Sequence, residues 1–182
     1  MYEEAKEKAL APYAFAVEGS PDAAACVVFA EELPEAAHGA LAAACAGIGL
    51  DAPCFFDAAA FDFSAAGGVL PEAAVASSAP AAAGGEVPGA AAGSDAASFG
   101  AHELFAAVEA LDPLVLVMAD EHAASLMSTA YREPVLLDAH GFLFGRPYAA
   151  FSSFGGDLHD LRAKQRNWAV LKALRKSADW LG

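Results

Sequence analysis

The stretch CVVFAEELPEAAHGALAAACAGIGLDAPCFFD, residues 26–57, decides how the chain is read. It opens on a short β-rich apolar run at 26–30, bounded upstream by Ser20-Pro21-Asp22. Such a run between turn residues predicts a buried strand. From Pro34 the pattern turns helical. Proline suits a first helical position, and Gly47 and Gly49 suit the exit. A second apolar run follows at 53–57. Parallel neighbours need a crossover between them, so strand, helix and strand in this order predict a parallel βαβ unit.

Working outward, residues 3–11 read as a short charged helix in which Lys6 and Lys8 each have a glutamate within helical reach. Residues 64–98 change character. Ala, Gly, Ser and Pro dominate, and Lys and Arg are absent. Few large apolar residues can fix a core there, which predicts a long irregular excursion. The pattern resumes at 99–111 with an amphipathic helix carrying Phe99, Leu104, Phe105, Val108 and Leu111 on its apolar face. Asp112-Pro113 stops it. Residues 114–118 (LVLVM) form the clearest buried strand, and Asp120 caps a helix to about Ser128. Residues 135–137 and 142–144 flank an Asp-Ala-His-Gly turn and suggest a hairpin. A strand at 146–151 and a long helix at 158–177 complete the chain. The expected fold is a single three-layer α/β/α domain over residues 1–182, with a central, mostly parallel four-stranded sheet.

The chain holds 182 residues, enough for one full core, with a net charge of −14 and a mean hydropathy of +0.36. The acidity argues against a strong non-specific polyanion binder, since phosphate contacts need clustered Lys and Arg. Cys26, Cys45 and Cys54 are odd in number, and none are spaced as C-x-x-C. They read as reduced, buried thiols of a cytoplasmic protein, with no disulfide framework and no metal site. The opening MYEEAKEKAL is unlike a signal peptide, and no run is long and apolar enough to span a membrane.

Three motifs in order resemble the uracil-DNA glycosylase superfamily, above all its compact bacterial branch. VVFAEELPE (27–35) is similar to an apolar strand followed by G-E-x-P-G. LDPLVLVMADEHAASLM (111–127) is similar to a P-x-hydrophobic strand, a small-residue turn and a helix. Lys164-x-x-x-Trp168-x-x-Leu171-Lys172 is similar to the closing helix. The resemblance implies a glycosylase-like sheet over roughly 23–176. It sets Glu32 where the family positions water against the glycosidic bond, Asp57 where an amide reads the uracil edge, and Ser152 or Ser153 where a histidine stands.

The chemistry departs from the family at each of these places. Glu31 and Glu35 replace two glycines, so carboxylates stand where a phosphodiester backbone would approach. Residues 36–50 contain no aromatic to stack on a flipped base. An ionised carboxylate at Asp57 accepts but does not donate. The expected function is therefore a binding or interaction module without efficient base excision. The alternative is a divergent DNA glycosylase, or another hydrolase, acting at the carboxyl edge of the sheet.

Each candidate residue keeps two readings. Glu32 is a water-positioning acid, or it solvates a loop and favours the following helix N-terminus. Ser152, Ser153, Gly155 and Gly156 form a phosphate-cradling turn, or an ordinary strand-to-helix turn. The same turn and helix, 152–166, are the candidate for weak nucleic-acid or nucleotide binding. Residues 155–182 carry six basic and three acidic side chains. With Leu158, Leu161, Trp168, Leu171 and Leu174 expected to be buried, those cations also read as a solvated face. Asp120, Glu121 and His122 read as a capped helix start rather than a metal cluster. No cofactor is expected.

Overall fold

A computed structural model describes residues 2–61 and 100–178. The small-residue stretch expected to be irregular, 64–98, lies outside them.

Alternation along the strands builds the middle of the molecule. In β2 (Ala25–Phe29), Cys26 and Val28 turn to one face of the sheet and Val27 to the other. The same period of two separates Phe56 from Phe55 in β3 (Cys54–Asp57). In β4 (Val115–Met118) it separates Leu116 and Met118 from Val115 and Val117, and in β6 (Arg146–Ala150) Tyr148 and Ala150 from Ala149. Strands buried on both faces need helices on both faces. The helices α1 (Tyr2–Leu10), α3 (Ala101–Leu111) and α4 (Glu121–Tyr131) cover one face. The other takes α2 (Glu35–Gly47), the single turn α5 (Phe154–Asp157) and α6 (Leu161–Ala178).

Among the described residues the sheet has six strands, in the order β1 (Val17–Glu18), β3, β2, β4, β6 and β5 (Ala139–Leu143), not the four expected. The inner four are parallel, as the βαβ reading requires. The two additions are antiparallel edges. Strand β1 has only two residues, too few for a sequence pattern. Strand β5 occupies residues expected to turn. The hairpin exists but is displaced: its two-residue turn is Phe144-Gly145, with φ of 50° and 83°. Positive φ at both central residues is the geometry that matches strand twist in a tight hairpin. Gly141, read as a turn glycine, lies inside β5 because the Tyr148 ring covers it. A Cβ there would meet two ring carbons and the hydroxyl oxygen of Tyr148 at 3.0 Å.

Two helix readings also change. Pro34 is the N-cap of α2 rather than its first helical residue, and its carbonyl accepts from Ala37 and His38. In α6 the buried stripe is Ala163, Asn167, Leu171 and Leu174. Leu161 is 71% exposed and Trp168 38%, so neither is in the core. Trp168 lies against Gly47 of α2, with Lys172 over its ring. Among the described residues no helix is long and apolar enough to cross a membrane.

Candidate functional site

The carboxyl ends of β2 and β4 meet the chain leaving β6. Their meeting is organised by Asp120, only 5% exposed, at the N-cap of α4. Its Oδ1 accepts from Ala123 N–H at 2.7 Å within its own helix. Its Oδ2 accepts from Ala30 at 2.9 Å and Glu31 at 3.3 Å, both in the loop after β2. On the other side, Glu121 N–H donates to the Ser152 carbonyl and Phe154 N–H to the Ala119 carbonyl. One buried carboxylate and two backbone bonds thus tie three segments together.

Between them lies a shallow cleft of about 100 Å³, lined by Glu31, Glu32, Leu33, Pro34, Ala119, Asp120, Ser153, Gly155 and Gly156. Glu32, Ser153, Gly155 and Gly156, singled out on sequence grounds, are therefore brought together. Asp57 and Ser152 are not among the lining residues. Asp57 is the last residue of β3, where its Oδ1 accepts from Ala59 N–H at 2.9 Å and caps a short 3-10 turn. Ser152 is held by Asp138: its N–H donates to Oδ1 at 3.1 Å, and its hydroxyl lies 3.0–3.1 Å from both carboxylate oxygens.

The small residues of the turn have packing reasons to be small. A Cβ on Gly155 would come within 3.2 Å of Pro34 Cδ, so this glycine lets α5 seat against the start of α2. A Cβ on Gly156 would lie 2.8 Å from Ser153 Oγ, and that Oγ accepts the Gly156 N–H at 3.3 Å. One of the two glycine amides that an anion could use is thus already bonded within the turn.

No protein-family model, curated protein or solved structure matches this chain. The chemistry of the cleft must be read from its own side chains.

Every ionisable side chain lining the cleft is a carboxylate: Glu31, Glu32 and Asp120. Glu31 and Glu32 are exposed, so water screens them, while both Asp120 oxygens are engaged by backbone amides. That engagement explains why three acids here do not form a cation cage. Among the described residues no group of three or more His, Cys, Asp or Glu is arranged to hold a metal ion.

The basic helix α6 also pairs with the end of α5. Arg166 reaches Asp157 Oδ2 at 3.0 Å, and the buried Asn167 donates to the same oxygen at 3.0 Å. Two sets of contacts central to this architecture escaped sequence reading. Asp138 was legible as a turn residue, but its bonds to Ser152 were not. Asp120 was legible as a helix cap, but its bonds to Ala30 and Glu31 were not.

Proposed function

We propose that this chain is a uracil-DNA-glycosylase-like protein of the cytoplasm that lacks efficient base-excision activity and acts as a binding or interaction module. The observation that carries the reading is the lining of the cleft at the carboxyl edge of β2 and β4. Among the described residues, Glu31, Glu32 and Asp120 are its only ionisable side chains, and all are acidic. A phosphodiester entering such a cleft meets like charge without a compensating cation. The turn after β6 offers serine rather than imidazole, and its Gly156 amide is occupied. The parallel strand order β3-β2-β4-β6 and a closing helix after β6 support the scaffold part of the reading. Exposed Phe142 and Phe144 on the β5–β6 hairpin support the interaction part, since such side chains are common in contact surfaces.

A second reading keeps chemistry: Glu32 and Ser153 line one cleft, as a divergent glycosylase or other hydrolase would require. Fluorescence anisotropy with single- and double-stranded uracil-containing DNA separates the two. The binding-module reading expects no saturable, cleft-dependent binding near physiological salt. Tight binding that Glu32→Gln alters would favour the second.

A further inference from the structure

Cys26 and Cys54 stand opposite each other in the parallel register of β2 and β3. Adjacent strands run about 4.8 Å apart, and a disulfide accepts Cα separations of roughly 4.4–6.8 Å. Both side chains point to the same face, into the core cluster that also holds Leu10, Leu104 and Met118. The two thiols are near enough to shift each other's acidity. Cys45 lies on α2, on the far face of the sheet. All three cysteines are free and buried.

A pocket lies beside the strand that carries Cys54. A cavity of about 670 Å³ is lined by Lys6, Leu10, Val17, Gly19 and Asp22. Gly19 forms part of its wall and backs onto Cys54, since a Cβ there would lie 3.5 Å from Cys54 Cα. Lys6 lines the same cavity, paired to Asp22 at 2.8 Å.

We propose that Cys26 and Cys54 form a peroxide-responsive dithiol that closes to a disulfide across the β2–β3 pair. The Cys54 sulfur, as thiolate, attacks one oxygen of hydrogen peroxide. The O–O bond breaks, and hydroxide leaves and takes up the thiol proton as water. Cys54 is then a sulfenic acid. The Cys26 sulfur attacks the Cys54 sulfur, the S–O bond breaks, and the departing hydroxide takes the Cys26 proton as a second water. The two thiols lose two electrons and peroxide gains them.

The electrostatics assign these roles. The Cys26 thiol beside it, outweighing burial and helped by the Lys6 ammonium, holds the Cys54 thiol below its ordinary range. The same proximity, burial and the Cys54 charge push the Cys26 thiol up. A thiolate is the attacking form. Because neither sulfur is exposed, a small neutral oxidant reaches the pair and a bulky disulfide such as oxidised glutathione does not.

The test uses the folded wild-type protein. It is treated with hydrogen peroxide near neutral pH, denatured in excess alkylating reagent, and mapped by mass spectrometry. Of the three thiols, only Cys45 is expected to take label, with the Cys26 and Cys54 peptides joined. Dithiothreitol restores all three, and Cys45→Ser behaves as wild type. Oxidised glutathione leaves three labelled thiols. Full labelling after peroxide, a bond involving Cys45, or Cys54 carried only to sulfinic acid would each overturn the proposal. The mapping needs no cysteine-pair variant, so it survives a Cys26→Ser protein that fails to fold.

Discussion

Asp120 Oδ2 accepts the backbone N–H of Ala30 at 2.9 Å, joining residues 90 positions apart. Together with the bonds to Glu31 and Ala123, it makes one carboxylate the link between the loop after β2 and the start of α4. The most buried acid at the carboxyl edge is thereby committed to architecture, which leaves chemistry in the cleft to exposed Glu31 and Glu32.

Asp120→Ala should therefore act on stability first. It strips acceptors from three backbone donors, removes a helix cap, and is expected to cost about 2–4 kcal/mol. Asp120→Asn keeps one acceptor oxygen and should lose less. Urea unfolding with an unchanged m-value is the check. A loss below about 0.5 kcal/mol for the alanine variant would refute the linking role.

A second network ties the hairpin to α3. Arg146, at the start of β6, bonds both Glu109 oxygens and reaches Asp112 at 3.3 Å, while Tyr131 donates to Glu109 at 2.7 Å. A two-pronged carboxylate contact needs the planar guanidinium. Arg146→Lys is expected to lower stability by about 1–2 kcal/mol, measured by the same unfolding experiment. A variant as stable as wild type would show that the paired geometry contributes nothing.

The hairpin makes a prediction about glycines with opposite causes. Gly141→Ala would push the Tyr148 ring, whose hydroxyl accepts from Leu136 N–H at 3.0 Å. A loss of about 1–2 kcal/mol is expected, with faster hydrogen exchange at Leu136. Gly145 has open space but φ of 83°, so Gly145→Ala should cost about 1 kcal/mol through backbone strain alone, leaving Leu136 protected. Equal exchange in the two variants would contradict this division.

Alkaline pH should weaken the fold in a definite window. Burial pushes the Cys45 thiol from 9.0 up to about 11. Burial, reinforced by the hydrogen bond to Glu109, also raises the Tyr131 phenol from 10.0. An acid whose folded pKa is raised contributes stability that is full below its unfolded pKa and lost as pH rises toward its folded value. Stability should fall from about pH 9, and Cys45→Ala should flatten the loss between pH 9 and 11. Chemical denaturation at half-unit pH steps measures it. An unchanged slope in the variant would refute the assignment.

The inner sheet was legible because 26–30, 53–57 and 114–118 are short apolar runs between turn residues, and burial on both faces selects such runs. The edge strands were not. Strand β1 is two residues long, and β5 hides behind Gly141, whose meaning depends on the Tyr148 ring above it. The same limit applied to α6, where helical spacing suggested a stripe through Leu161 and Trp168. Leu171 and Leu174 are buried as expected, but Ala163 and Asn167 complete the stripe in place of Leu161 and Trp168. At the cleft, Glu32 and Ser153 could be named from loop position, since both follow strands of a parallel sheet. That Ser152 would be spent on Asp138, 14 positions away, depended on a contact no local pattern encodes, whereas Asp57 is spent locally on the amide of Ala59.

The central claim, a glycosylase-like scaffold without efficient excision, is tested most directly by single-turnover uracil release with protein in large excess over labelled single- and double-stranded DNA. The account predicts no release above the protein-free control, and the same result for wild type and Glu32→Gln. Robust release by the wild-type protein that Glu32→Gln abolishes would contradict it and would make Glu32 the catalytic acid of an active enzyme.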